Sequence, residues 1–492
     1  MSARAARSAP RSATSPSRRR FVQGSLAALA GARVPRLARP SDELRVVIVG
    51  LNGCGADHAA ALHAVPGVRI AALCDVDDFV LSREARKLRE GGWTGSVNGD
   101  LRRVLERDDV DAVVLATPDH WHALQTLWAC RAGKDVFVES PSTHAFAEGA
   151  RLVASAAKHA RIVHCGYPAR SSPALRAAID WLHAGNLGAP TCVRALCYEA
   201  RPSIGQSKGN RHIPDIVDYD LWCGPGPLLP LRRAKLHHDW RWLFAYGDGE
   251  LGSGAAHVLD VARWVLGAED PPASVHSLGA RVGYSDDGET PNTQIVLYAY
   301  APTPIVLEVR GLPSSSAAQA GDWSARMDDF LGVKVGVVVH CENGVLRIHG
   351  DALATACDGD GKEIQRWEGS GAPLARWLEA VKTRDAAASG IESSVRSDAL
   401  VHLGNASHRA GQRLVKDDLW PEIERLHLDV WLATCQRTLE HLDKNGVDLL
   451  RTELTLGARL ELDPKTGALR EPPSAAALLA GSYREPFVLP DA

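Results

Sequence analysis

Ten cysteines are present, yet no two of them form a Cys-x-x-Cys pair. That removes the spacing on which zinc ribbons and dithiol redox centres depend. Cys74 and Cys165 fall inside apolar runs, where a reduced thiol packs as a small hydrophobe. His237, His238 and Asp239 are adjacent, but neighbouring histidines rarely share a face, so no metal is expected. No internal repeat or long low-complexity tract follows residue 40. Asp, Glu and Lys are missing from residues 1–40, which hold nine arginines. The other 47 basic residues stand against 59 acidic ones, so the body carries a net charge of −12. An acidic body argues against nucleic acid or an anionic membrane as the main partner.

The arginine-rich start has an order of its own. Ser17-Arg18-Arg19-Arg20-Phe21-Val22-Gln23 precedes an apolar stretch that ends in Ala30-Gly31-Ala32. This is the layout of a signal peptide, and its paired arginines resemble the signal for proteins exported already folded. The apolar stretch is too short to span a bilayer, so no stable membrane insertion is expected once the signal is removed. The expected location is periplasmic or otherwise extracytoplasmic.

From residue 44 the texture is βα alternation. Continuous apolar runs at 44–50, 68–75, 111–118, 135–141 and 161–167 are separated by helical stretches, the pattern of a doubly wound parallel sheet. After 167 come a helix near 173–188 and strands joined by short turns, which predict an open, mostly antiparallel sheet in a second α/β domain. The expected organisation is a signal segment at 1–40, a dinucleotide-binding domain at 41–167, a substrate and oligomerisation domain at 168–412, and a helical and loop appendage at 413–492.

Gly50-Leu-Asn52-Gly53-Cys-Gly55 follows the first strand and opens a helix. Glycines there let backbone N–H groups approach a pyrophosphate. Asn52 stands where the usual motif has its middle glycine. Asp75 ends the second strand, where an acid accepts from a ribose diol and repels a 2′-phosphate, so NAD is expected over NADP.

"ATPDHWHALQTLWACRAGKDVFVESP" (116–141), with "GLNGCGADH", "YDLWCGPGP", "GSGAAHVLDVARW" and "DDGETPNTQ", resembles the Gfo/Idh/MocA oxidoreductases, in the branch common among twin-arginine-exported members. The resemblance runs from about residue 43 to the C-terminus. It implies a Rossmann domain, a second domain whose open sheet often forms an oligomer interface, a bound nicotinamide dinucleotide, and chemistry at a sugar or cyclitol hydroxyl. It also implies that Thr117, Pro118, His120, Trp121, His122 and Glu139 flank the cofactor, and that His257 transfers the proton. Tyr167 and Arg170 follow the last Rossmann strand, at the edge where ligands collect, and are expected to face substrate.

Two positions depart from the family pattern. Its Glu-Lys-Pro signature reads Glu139-Ser140-Pro141 here, and the Asp or Asn one helical turn before His257 is Ser253. Serine keeps a donor but lacks the ammonium that would polarise a carbonyl. Three readings follow: an oxidoreductase of a sugar or cyclitol with tightly held cofactor; a lyase, epimerase or glycosidase that uses NAD without net redox change; or a ligand-binding relative that has lost the chemistry. Asp260 and Arg263, at i+3 and i+6 from His257, read as structural anchors. A homo-oligomer is among the expected assemblies.

Overall fold

A computed structural model describes residues 43–490; the export segment read at 1–40 lies outside them. The first domain holds β1 (Leu44–Val49), α1 (Cys54–His63), β2 (Val68–Cys74), α2 (Asp78–Glu90), β3 (Ser96–Asn98), β4 (Ala112–Leu115), α3 (Asp119–Arg131), β5 (Asp135–Val138), α4 (Phe146–Lys158) and β6 (Val163–Cys165). All six strands are parallel, in the order β3-β2-β1-β4-β5-β6. Their apolar runs are unbroken because both faces are covered. Val47, Val49, Val113 and Leu115 pack to one side, while Val46, Ile48, Ala112 and Val114 pack to the other. The strand order reverses between β1 and β4, which places the ligand crevice at their C-terminal ends.

The second domain begins with α5 (Pro173–His183) and β7 (Pro190–Tyr198). It continues through α6 (Ala256–Leu266), β8 (Ser274–Ala280), β9 (Thr293–Tyr298), β10 (Ile305–Arg310), β11 (Val335–Cys341), β12 (Gly344–His349), β13 (Leu353–Asp358) and β14 (Glu363–Glu368). Next come α7 (Pro373–Thr383), α8 (Ile391–Arg409), β15 (Gln412–Leu414), α9 (Lys416–Glu424), α10 (Asp429–Lys444), β16 (Leu454–Leu456), β17 (Leu460–Leu462) and β18 (Leu469–Glu471). These strands form one 12-stranded sheet along the path β14-β13-β12-β11-β7-β10-β9-β8-β16-β15, with β17 and β18 branching from β8. Only β7 and β10 run parallel; the other pairs are antiparallel.

Residues after 412 are woven into this sheet. β16 and β17 pair with β8, and α9 and α10 lie across one face of the sheet. Trp431, Leu439 and Leu442 of α10 and Leu419 and Ile423 of α9 pack on Leu278, Ile295, Leu297 and Val306. Burial at about 25 cal/mol per Å² is worth roughly 1.5–3 kcal/mol for each large side chain, so this cover is well anchored. The chain then returns to the first domain. Phe487 meets Trp121 edge-on at 5.5 Å, and the Tyr483 hydroxyl donates to Glu148 at 2.9 Å.

Between β7 and α6 the chain makes a long, mostly irregular excursion with a small aromatic core of Tyr219, Trp222, Trp240 and Tyr246. It straps onto the tip of β2: Asp78 N–H donates to Ile216 O at 3.0 Å, and Asp218 N–H donates to Val76 O at 2.9 Å. Among the described residues, no helix is long and apolar enough to cross a membrane.

Candidate active site

The turn after β1 requires its glycines. A Cβ on Gly55 would lie 1.7 Å from Gly50 O, and one on Gly50, at φ +79°, would lie 2.7 Å from Ala116 O. Asn52 has no left-handed backbone and is exposed, so the turn tolerates a side chain there; its Oδ1 accepts from Arg83 at 3.4 Å. Asp75 ends β2 almost buried. Leu51 N–H donates to its Oδ2 at 2.7 Å and Asp77 N–H to its Oδ1 at 3.0 Å. Burial pushes its pKa up, and these two amides work against that rise.

A cavity of about 1270 Å³ runs from Asp75 and Asp100, past Gly50, Gly53, Thr117 and Pro118, to Glu139, Ser140 and Ser253. Ordinary ligand pockets hold roughly 300–1,000 Å³, so there is room for a dinucleotide and a second molecule. The close-packed glycine turn and the acid at the β2 tip fit such a dinucleotide: Gly50, Gly53 and the first turn of α1 would hold its pyrophosphate, and Asp75 a ribose.

The far end of the cavity is where the strand tips of both domains meet. Ser140 Oγ lies 3.3 Å from His257 Nε2. Ser140 is on the cavity wall and His257 is not, so the serine stands between the cavity and the imidazole. The His257 ring also meets Tyr167 edge-on at 5.7 Å. Ser253 sits in a π-helical turn, Leu251–Ala255, directly before α6. Single π turns recur at functional sites. Glycines on either side of Ser253 let two carboxylates approach. A Cβ on Gly252 would lie 3.3 Å from Asp119 Oδ2, and one on Gly254 would lie 3.3 Å from Glu199 Oε2. Asp119, Glu139 and Glu199 all line this end, and Glu139 is hydrogen-bonded to His58 of α1.

Several expected residues serve other purposes. His122 lines the cavity, with ring nitrogens 2.7 Å from Pro141 O and 2.8 Å from Thr117 O, so it ties the tips of β4 and β5 together. Trp121 also lines it, and its Nε1–H donates to Leu221 O at 3.1 Å. His120 is a correction: it faces away from this cavity, between Trp222 O and Tyr246 O at 3.2 Å each, and burial lowers its pKa to about 3. Tyr167 and Arg170 are corrections too, because neither reaches the cavity wall. The Tyr167 hydroxyl donates to Asp398, and Arg170 forms a two-pronged pair with Asp260 at 2.8 and 2.9 Å while lying over Trp264. Arg263 anchors α6 to α8 through Ser397 Oγ at 3.0 Å. His237 and His238 point to different carboxylates, Asp77 at 2.8 Å and Asp239 at 3.0 Å. Among the described residues, Cys197, Glu199 and Glu250 have metal-like spacing, but the Arg201 guanidinium bonds both carboxylates.

Sequence reasoning missed Asp398. It is fully buried on α8 and accepts from Ser142 N–H at 2.8 Å, Ser142 Oγ–H at 2.5 Å and the Tyr167 hydroxyl. It thereby fixes both the chain after Ser140 and the ring against His257. The signal was available: Asp398, His402 and Asn405 recur at i, i+4 and i+7, one polar stripe of a helix whose stretch 400–407 is buried throughout.

Known proteins agree with this architecture. Residues 44–167 match the oxidoreductase family model with an NAD-binding Rossmann fold, and 203–309 match that family's C-terminal α/β domain. A glycosyl hydrolase family 109 protein of Saccharopolyspora erythraea is 35% identical over 150 residues, 29% of this chain and 33% of the relative. Inositol 2-dehydrogenase 1 of the same organism is 29% identical over 235 residues, 47% of this chain and 57% of the relative. The chain therefore aligns with between a third and 57% of the length of these relatives. Among solved structures, the WlbA dehydrogenase of Bordetella pertussis, in complex with NADH and UDP-GlcNAcA, superposes with a TM-score of 0.54 at 18% identity, over 75% of this chain and 97% of that one. KijD10, a 3-ketoreductase from Actinomadura kijaniata determined with NADP, gives 0.52 at 18%, over 73% and 96%. At those identities the likeness is one of fold. With both family models matched in order, the chain belongs to the Gfo/Idh/MocA oxidoreductase family.

Proposed function

We propose that this chain is an NAD-dependent oxidoreductase acting on a hydroxyl of a sugar or cyclitol, with the cofactor retained between turnovers. The observation that carries the reading is the single cavity linking the glycine turn and Asp75 to Ser140, Ser253 and the carboxylates of the second domain. When bound, the nicotinamide supplies the two-electron partner that accepts or returns hydride. The chain's own residues handle the proton. A substrate hydroxyl at the wall gives its proton to Ser140 Oγ as the serine proton passes to His257 Nε2, 3.3 Å behind. Retention is favoured by the strap from the second domain, which is tied to the β2 tip and lines the cavity through Glu199–Gly205 and Trp240–Trp242. A held cofactor suits a protein exported folded to a compartment without a free dinucleotide pool.

The test is the absorbance of purified protein mixed with a panel of sugars and polyols. A reduced-nicotinamide band that appears with one of them is expected. No band with any would move the reading to a ligand-binding relative. A band that rises and decays while a group leaves the sugar would favour a cycle without net redox change. Two observations support that second reading: the family 109 relatives, and three carboxylates at the reacting end that could serve as acid and base.

Asp75 supports NAD over NADP, because a buried carboxylate repels a 2′-phosphate. Asp75→Asn keeps the shape and removes the charge. NAD affinity should fall about tenfold, the loss of a charge-assisted bond, while NADP binding improves relative to it. Unchanged affinities by calorimetry would take Asp75 off the ribose.

A further inference from the structure

Arg83 is half-buried on α2, on the wall of the large cavity, and its guanidinium is held by two residues. Nε–H donates to Glu84 Oε1 at 2.6 Å, and Nη2–H donates to Asn52 Oδ1 at 3.4 Å. Glu84 is a firm anchor. It is 5% exposed, and Lys87 Nζ also bonds its two oxygens, at 2.9 and 3.1 Å. The guanidinium lies over Phe79 at 5.9 Å. Among the described residues, nothing accepts from Nη1. The Arg83 side chain is 31% exposed, so a molecule in the cavity can reach it.

The glycine turn beside it is shaped for phosphates but poor in positive charge. Gly50 and Gly53 open the turn at positive φ, and Asp57 stands in the first turn of the helix that follows. A carboxylate there already answers the positive end of the helix and opposes a second anion. Asp57, Asp75 and Asp100 all line the cavity. Arg102 bonds Asp100 at 2.7 Å, and two backbone amides hold Asp75. Glu84 is different, because one carboxylate faces two cations, Arg83 and Lys87. One positive charge is therefore left over, and the contact with Asn52 fixes it at the turn. Asn52 stands where the usual motif has a glycine, so its side chain exchanges a closer backbone approach for a held arginine.

We propose that Arg83 clamps the diphosphate of the bound dinucleotide through Nη1, with Asn52 and Glu84 as its positioning residues. The proposal rests on the dinucleotide reading and deepens it, since it supplies a source of retention apart from the strap. Arginine's planar fork suits a phosphate, and a guanidinium ordered in advance spares the ligand the cost of ordering it.

The test is calorimetric titration of the full chain, freed of bound nucleotide, with ADP-ribose and with adenosine, which lacks the phosphates. Arg83→Gln should weaken ADP-ribose about tenfold or more, the contribution of a charge-assisted bond, and leave adenosine unchanged. Asn52→Gly, a change at an exposed position in a turn of glycines, should weaken ADP-ribose in the parent and have no effect beside Arg83→Gln, the signature of two residues acting as one. Equal losses for the two ligands would place Arg83 on the base and overturn the proposal. So would an unchanged affinity of Arg83→Gln for ADP-ribose, or an Asn52→Gly effect that is the same in both backgrounds. Failure of the parent to bind ADP-ribose at all would overturn the dinucleotide reading, and the proposal with it.

Discussion

Replacing His257 by alanine should slow turnover by about 10²–10⁴-fold, the usual contribution of a positioned acid–base group. The imidazole is behind Ser140 rather than on the cavity wall, so its removal leaves the binding surface in place. The loss should therefore fall on the rate of hydride transfer in a single turnover, with little change in affinity for NAD. Ser140→Ala breaks the same route one atom earlier and should give a loss of similar order. The measurement is stopped-flow formation of reduced nicotinamide with a responsive polyol. A His257→Ala protein that reacts at the parent rate would show that the proton leaves by another path, for which Asp119, Glu139 and Glu199 are the carboxylates on this end of the wall.

Asp398→Ala should cost about 3–5 kcal/mol of apparent unfolding free energy. Besides Thr143 Oγ1 at 3.5 Å, which also reaches His402, three short donors converge on this buried carboxylate, two from Ser142 and one from Tyr167. Without it each is left in the interior with no acceptor, at about 1–3 kcal/mol apiece, and water entering the gap recovers part of that. Asp398→Asn keeps one oxygen and should cost less than half as much. A denaturant midpoint comparison reads the difference, and a cost under about 1 kcal/mol for alanine would show that the network is dispensable. Any stable Asp398 variant should also lose turnover, because the carboxylate holds the segment after Ser140 and the Tyr167 ring that abuts His257.

The Rossmann half was legible in the sequence for a physical reason. Strands covered on both faces need no alternation, so runs such as Leu44–Val49 stand out without reference to their partners. β3 escaped notice because it is a three-residue, largely exposed edge strand. The glycine turn and Asp75 were readable because their chemistry is local. Ser140 and His257 were readable only through resemblance, since they are 117 residues apart and meet by folding. Tyr167 and Arg170 were put in the wrong place by the same limit. Position after a strand says where a backbone goes, while the partners that claim the side chains, Asp398 and Asp260, lie far along the chain. The stretch 413–492 reads as a helical and loop appendage, and the structure holds α9 and α10 in it with a break between them. Amphipathic spacing could not say that their apolar faces would find the chain's own sheet.

That cover has a consequence for how the molecule responds to dilution. In a protein that hides the open face of a sheet against a second copy, the burial is a bimolecular equilibrium and weakens as concentration falls. Here α9 and α10 are tethered to the strands they protect, through β15 and β16 on the sheet's own edge. The local concentration of the protecting surface is set by the length of the connection and not by how much protein is present. A chain released singly into a large, dilute volume therefore keeps this apolar face dry without having to meet another like itself.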